Sequence, residues 1–447
     1  MAGSGNRPPP DLPGSVLAVV SRYVRLGERV VAGLSGGLDS VVLLDCLRRA
    51  APRLGFRLRA LHVHHGLSPN ADAWEAFCRA LCGRWGLPLD TERVRVEPDS
   101  GGGIEAPARE ARYAAFAGSG ADWIALAHQR DDQAETLLFN LLRGCGVRGA
   151  AAMPVVRALD RGGASSRLLR PLLDVPRCDI EAHARAQRLE WIEDESNLDP
   201  RPSRNYLRRE VLPVLRARFP GVDAALARAA GHFAEAQDLL DGIAERDRTE
   251  VADEGRILLA RFARLDRGRA TNLLRLVLRE AGVRAPDARR FDDLTGQLRR
   301  WKPGGGLRFV IDGRCLQAWR GRLYIEPARA AAPAPIAWNG QRELAWAGGW
   351  LSFAPATGEG VGARALEGAA VEVRARAGGE RLRPQAGRPS RSLKALAQAA
   401  GIPPWQRPRM PLVWVNDALA WVAGIGAAAE FACPAGEPGV RIDWLNP

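Results

Sequence analysis

Three short stretches hold residue types whose spacing suits chemistry on phosphates. In Ser35-Gly36-Gly37-Leu38-Asp39-Ser40 the two glycines let successive backbone N–H groups turn toward one point. The helix expected to follow adds unpaired donors and the positive end of its dipole, so the loop is a nest for a phosphate. It is neither a Walker A loop, which ends in Gly-Lys-Ser/Thr, nor a G-x-G-x-x-G dinucleotide fingerprint. Asp39 offers the hard oxygen that magnesium on a phosphate prefers; the plainer alternative makes Asp39 and Ser40 caps of an ordinary strand-to-helix turn. The second stretch, His128 to Thr136, reads HQRDDQAET. A helix beginning near Asp131 puts Asp132 and Glu135 on one face. Beside a phosphate they make sense with a magnesium ion or an ammonium group between them and it. An acidic first turn complementing the helix dipole accounts for Asp131 but not for that shared face. The third, Glu193 to Arg209, has an acidic, turn-rich front and a helical back with Arg204 and Arg208 one turn apart. A guanidinium pair on one face suits phosphate or carboxylate, the alternative being a solvated basic face.

The elements that must position these groups alternate between strand and helix. An apolar run from Val30 enters the glycine turn. Arg57 to His64 alternates as a strand, Ala71 to Trp85 is a helix stopped by Gly86-Leu87-Pro88, and Thr91 to Val96 is a strand. After a glycine loop at 101–103, Ile104 to Phe116 is a helix and Asp122 to Ala127 a buried strand. This order predicts an α/β fold, a doubly wound, Rossmann-like parallel sheet whose ligands sit at the carboxyl ends of the strands. The phosphate loop, His64-His65-Gly66 and His128 all fall at such ends, so they are expected to face one crevice. Beyond about residue 220, Val222 to Arg248, Arg269 to Glu280 and Asp287 to Trp301 read as helices. Leu307 to Ile311 and Leu323 to Ile325 read as short strands, and an Ala/Pro stretch from Arg329 leads to a strand-richer end. Three domains are expected: 1–220, a helical 221–330 and a small α+β domain 331–447.

A net charge of +13 and a pI near 10.3 call for a polyanionic partner, and nucleic acid is the better of two candidates. The other, an anionic membrane, is weaker because no apolar stretch approaches the roughly twenty residues of a spanning helix. The start, MAGSGNRPPPDLPGS, reads as a polar arm without a signal-peptide core, so a cytoplasmic location is expected. Seven scattered cysteines argue for reduced thiols; Cys78 and Cys82 read as buried rather than as a metal pair. Near the end, Arg381, Arg383, Arg388, Arg391, Arg407 and Arg409 surround Trp405, a pattern suited to RNA phosphates and base stacking, or else a basic surface with one buried tryptophan. No protein partner is readable.

The motifs then narrow to a family. SGGLDS resembles the SGGxDS loop of the PP-loop ATP pyrophosphatases. Together with HHGL at His64 to Leu67, ARxxRY at Ala108 to Tyr113, HxxDDxxET at His128 to Thr136, RPLL at Arg170 to Leu173, and DxSNxD with RNxLR between Asp194 and Arg208, it resembles the tRNA(Ile)-lysidine synthetases. GGERLRP, SLKALAQAAGIPPWQRPRMPLV and WVAGIG resemble that family's C-terminal domain. One departure is LKALAQA at Leu393 to Ala399, where the family usually reads LKKLFQE. The resemblance implies ATP-dependent adenylation of the C2 oxygen of the wobble cytidine in an isoleucine tRNA with a CAU anticodon, followed by attack of the ε-amine of free L-lysine. It implies Asp39, Asp132, Glu135 and Arg204 closest to the chemistry, and Mg2+ on Asp39 and Asp132. ATP falls to Ser35, Gly36, Gly37, Leu38, Asp39, Ser40, His65 and His128, and tRNA to Arg112, Arg208, Arg381, Arg383, Arg391, Trp405 and Arg407. The rival readings are a tRNA thiolation enzyme, for which no CxxC pair is present, and a non-catalytic tRNA-binding protein.

Overall fold

The computed structural model describes residues 11–97, 105–161, 164–193, 203–302, 305–328 and 333–445. The first ten residues of the arm, the 101–103 glycine loop, the acidic front 194–200 with its DxSNxD motif, and residues 329–332 of the Ala/Pro stretch lie outside the described residues. The chain divides into two compact units, Met1–Leu240 and Asp241–Pro447.

The first unit is built on β1 (Arg29–Gly33), β2 (Arg57–His64), β3 (Leu89–Arg93), β4 (Trp123–Ala125), β5 (Val156–Arg161) and β6 (Ala164–Leu169), in the order β3-β2-β1-β4-β6-β5. All pairings are parallel except the β5–β6 edge hairpin. Val30, Val31 and Ala32 in central β1 are buried, as a strand covered on both faces requires. On one face pack α1 (Leu12–Tyr23), α2 (Leu38–Leu54), α3 (Ala71–Trp85) and α7 (Arg177–Ala186), through Val16, Val20, Leu43, Leu47, Cys78, Leu81 and Ile180. On the other lies α4 (Glu105–Gly118), through Tyr113, Phe116 and Ala117. Helix α3 ends at Gly86, whose φ of +63° closes it in the left-handed conformation.

Two features were not readable from the chain. Helix α1 starts inside the supposed arm, because Asp11 caps it by accepting from the Gly14 N–H at 2.9 Å and Leu12, Val16 and Val20 form a buried stripe. The β5–β6 hairpin carries too many polar residues to signal itself; it is held by its partner at the sheet edge.

Helices α5 (Arg130–Leu142) and α6 (Val147–Ala150) precede the hairpin. After α7 come α8 (Ser203–Tyr206), a π-helical turn at Leu207–Val211, α9 (Leu212–Arg218) and α10 (Val222–Val251). The second unit holds helices Arg267–Glu280 and Ala288–Arg299 over a three-stranded antiparallel sheet of Leu307–Ile311, Arg314–Trp319 and Arg322–Pro327. They share a core around Leu273, Leu294 and Leu316. Five- and four-stranded sheets between Ile336 and Leu445 enclose a second core around Trp346, Leu351 and Val413. Ala397, where the expected family pattern has an aromatic residue, is buried, and Ala399 is exposed, so the first departure concerns packing and the second the surface.

Candidate active site

The sheet order reverses between β1 and β4: from β1 the chain steps outward to β2 and β3, then returns to β4 on the other side. Ligands bind open α/β sheets at such a switch point, beyond the strands' carboxyl ends. The β1–α2 loop and the turn before α5 both open there.

Gly36 has a φ of +88°, a conformation that costs glycine nothing. Ser40 Oγ accepts from Ser35 N–H at 3.2 Å and donates to Gly37 O at 2.9 Å, and Gly37 N–H donates to Ser35 Oγ at 3.3 Å. The two serines therefore brace the turn from within. Gly37 is the N-cap of α2 and provides no side-chain cap, so the helix's first amides stay available to an anion. Ile192 N–H donates to Gly36 O at 2.9 Å, tying the segment after α7 to the loop.

Asp39, in the first turn of α2, is raised to about 6. Burial is the main cause and the charge of Asp132 adds to it, while Arg177 and Arg208 oppose it. Arg177 on α7 stands 3.7 Å from one Asp39 oxygen; the other, Oδ1, is buried without a hydrogen-bond partner. An orphaned carboxylate oxygen beside an anion nest fits a magnesium ion, which Asp39 would hold.

Asp132 does not offer the same freedom. Its Oδ2 accepts from the Gln129 N–H at 2.9 Å, half of a capping box that starts α5, and its Oδ1 pairs with Arg208 at 3.1 Å. Both Glu135 oxygens accept from the same guanidinium, Oε1 from Nε at 2.5 Å and Oε2 from Nη2 at 2.8 Å. Burial raises the pKa of both carboxyls, with Arg208 opposing it. Asp131 is set apart by Arg216, which bridges it to Asp223. Arg208, expected on RNA, is thus bound to the two carboxylates, whereas Arg204 lies over the Phe139 ring, 5.7 Å from its centroid.

His128 is pushed down to about 3, first by burial and then by the charges of Arg170, Arg109, Arg204 and Arg112. Buried Arg170 donates from Nε to His128 Nδ1 at 3.3 Å and from Nη1 to Pro154 O at 2.7 Å. The imidazole is therefore neutral, with its remaining proton on Nε2. Arg109 and Arg157 flank Tyr113 at 5.2 and 5.1 Å from its ring, and Arg112 is exposed on α4. Such a concentration of guanidinium groups suits a polyanion. Sequence reasoning missed Arg177, Arg170 and Arg109. RPLL and ARxxRY marked the last two without showing where they sit; Arg177 carries no local signal. His65 follows the end of β2, half-buried.

Residues 16–215 match the PP-loop domain family, 258–324 the TilS substrate binding domain, and 371–444 the TilS substrate C-terminal domain. The chain is 46% identical to a tRNA(Ile)-lysidine synthase of Azoarcus sp. (strain BH72), over 96% of this chain and 94% of that one. It is 45% identical to that of Aromatoleum aromaticum, over 95% and 99%, and 39% identical to that of Nitrosomonas europaea, over 99% and 98%. The chain belongs to the tRNA(Ile)-lysidine synthase family. It is an ATP-dependent ligase of the PP-loop class.

Membership in this family displaces the thiolation alternative. Cys46 and Cys78 are buried and pushed up to about 12, and Cys82 to about 11, chiefly by burial, which keeps them from acting as nucleophiles. Among the described residues no helix is long and apolar enough to cross a membrane.

In the second unit, Arg381 donates to Ser390 O at 2.5 Å, Arg383 pairs with Glu430 at 3.3 Å, and Arg407 donates to Ile402 O at 3.0 Å. Arg391 is exposed on the strand pair with Leu382. Trp405 packs edge-on against Tyr324 and Trp319, with ring centroids 5.0 and 6.3 Å away. It is half-buried at the side of this aromatic cluster.

Proposed function

We propose that this chain converts the wobble cytidine of isoleucine tRNA with a CAU anticodon to lysidine. The cytidine C2 oxygen attacks the α phosphorus of ATP, the α–β anhydride bond breaks and pyrophosphate leaves. The ε-amine of L-lysine then attacks C2, the C2–oxygen bond breaks, and AMP leaves with that oxygen. The observation that carries this reading is the nest of Ser35, Gly36 and Gly37 facing the Asp132–Glu135 pair across one switch point. Phosphate and ammonium are the two charges that the reaction must bring together.

In this reading the phosphates replace the serine hydroxyls as acceptors of the Ser35 and Gly37 N–H groups. They add the amides of Gly36 and Leu38 and the Ser40 hydroxyl, while the neutral His128 and His65 bind the nucleotide. Arg204, Arg170 and Arg109 spread positive charge where negative charge develops. Asp39 holds magnesium, which when bound neutralises phosphate charge; Asp132, satisfied by its cap and by Arg208, is a weaker ligand. Asp132 and Glu135 receive the lysine ammonium, and Glu135 takes the proton lost when the amine attacks. Residues 221–330 and 331–447 grip the tRNA body, with Arg112, Arg381, Arg383, Arg391, Arg407 and the Trp405 cluster on or beneath the contact surface.

The test is mass analysis of tRNA after incubation with ATP and L-lysine. It should show the wobble cytidine gaining the mass of lysine less one water, because the C2 oxygen leaves with AMP, with AMP and pyrophosphate formed only when tRNA is present. ADP as product, or equal turnover without RNA, would overturn the reading.

A further inference from the structure

The carboxylate pair assigned to lysine is already occupied by a cation of this chain. Arg208 forms a bidentate pair with Glu135 and a third contact with Asp132. Glu135 has almost no solvent access, with its side chain 5% exposed, so leaving it unpaired would be costly. With both Glu135 oxygens engaged, an ammonium and the guanidinium compete for the same acceptors.

We propose that Arg208 is an internal stand-in for the lysine ammonium. It closes the Asp132–Glu135 site in the free enzyme and moves onto nucleotide phosphate when ATP binds, so that lysine binding follows nucleotide binding. This rests on the reading that Asp132 and Glu135 receive lysine.

Three features support an exchange rather than a fixed bridge. Arg208 is 40% exposed while Glu135 is buried and Asp132 half-buried, so it reaches in from the solvent side and can leave without emptying a packed core. Its carboxylate partners stand on α5, and the turn before that helix opens at the same switch point as the β1–α2 loop, so a phosphate on the loop and the guanidinium share one end of the sheet. And Arg208 sits in the π-helical turn Leu207–Val211 between two α-helical segments. Such a turn holds one residue more than α geometry needs and is common where helices shift at functional sites. Slipping it by one residue turns a side chain about 100° around the axis. A guanidinium moves readily between carboxylate and phosphate because its fork matches both.

The experiment is equilibrium dialysis of radiolabelled L-lysine against the full-length protein, with and without an ATP analogue bearing a methylene bridge between the α and β phosphates. For the native protein the analogue should tighten lysine binding at least tenfold. Arg208→Gln should bind lysine without the analogue, with the nucleotide effect reduced to about unity and weakened affinity for the analogue. Arg208→Lys, which keeps the charge but not the fork, should fall between them. Equal lysine affinity with and without analogue in the native protein would overturn the exchange, as would an Arg208→Gln protein of native melting behaviour that retains the full nucleotide effect. Glu135→Gln separates this from failure of the underlying reading. If its lysine affinity in the presence of analogue matches the native value, lysine does not bind at this pair at all. If that affinity is lost while Arg208→Gln keeps the nucleotide dependence, only the exchange fails.

Discussion

Ile192 and Gly36 are joined backbone to backbone, the Ile192 N–H donating to the Gly36 carbonyl at 2.9 Å, and a Cβ added to Gly36 would stand 2.8 Å from Ile192 Cδ1. The phosphate loop is therefore shaped from both sides, by its own glycine and by a segment about 155 residues further along the chain. Gly36→Ala meets two obstacles. The flexible end of Ile192 can yield, but a φ of +88° costs a residue with a Cβ about 1–2 kcal/mol. The variant should lose most ATP affinity and some thermal stability. Ile192→Ala in the same background should restore little, because it relieves the contact and not the dihedral. Full rescue in a nucleotide titration would show that sterics, not backbone conformation, select glycine here.

Asp39 gives a prediction whose sign differs between stability and activity. Its carboxyl is raised to about 6, mainly by burial, so folding favours the protonated form. That contribution is complete below the unfolded pKa near 4 and is lost as pH rises through 6. At pH 7 Asp39→Asn, neutral and nearly isosteric, should therefore stabilise the protein, by on the order of 1–2 kcal/mol after allowance for partial exposure. The gain should vanish near pH 4. Adenylation should be abolished, with tRNA retention nearly intact. Urea melts at the two pH values measure the first effect and quenched-flow detection of adenylated tRNA the second; a variant with normal rates would reduce Asp39 to a cap.

His128 behaves in the opposite sense. Its pKa is pushed down to about 3 by burial and the surrounding arginines, so its contribution is present above the unfolded value near 6.5 and is lost as pH falls from there toward 3. Between pH 6.5 and 5 this costs on the order of 1–2 kcal/mol. His128→Asn, which keeps an acceptor for Arg170, should flatten that part of the stability profile. An unchanged profile in urea melts would mean that the acid sensitivity originates elsewhere.

Much of this site could be read from the chain, because its parts lie on strong local signals. The glycines of the phosphate loop, the spacing of Asp132 and Glu135, and the strand alternation each carry information within ten residues. What could not be read was partnership. Nothing near Arg208 says that it pairs with a glutamate 73 residues earlier, and nothing near Arg177 says that it faces Asp39. Those pairings exist only once α7, α8 and the π-helical turn return to the switch point. Trp405 shows the same limit: a tryptophan among arginines reads equally as an RNA platform or as a buried side chain, and only the fold shows Tyr324 and Trp319 against it.

The division of labour between catalysis and RNA grip can be tested by truncation, provided the cut respects the packing. A chain shortened to end at Phe219 would strip Leu226, Ala230 and Phe233 of α10 from Leu137 and Ala150. Leu137 lies on α5, the helix that carries Asp132 and Glu135, so that cut would damage the site it is meant to isolate. A cut after Leu240, at the boundary between the compact units, keeps this contact. The resulting protein should bind ATP nearly as well as the full chain, since the nest, Asp39 and His128 all precede the cut. It should bind tRNA more weakly, and with a shallower dependence on salt, because each lost phosphate contact removes roughly one released counterion from the slope. Removing only Gly378 to Pro447 should give an intermediate slope. The wobble base is held at the α phosphate partly by contacts far from it, so the loss should fall mainly on tRNA affinity and selectivity. Filter binding across a salt series is the measurement. Equal slopes for the full and shortened chains would place the RNA grip in the first unit, around Arg109 and Arg112.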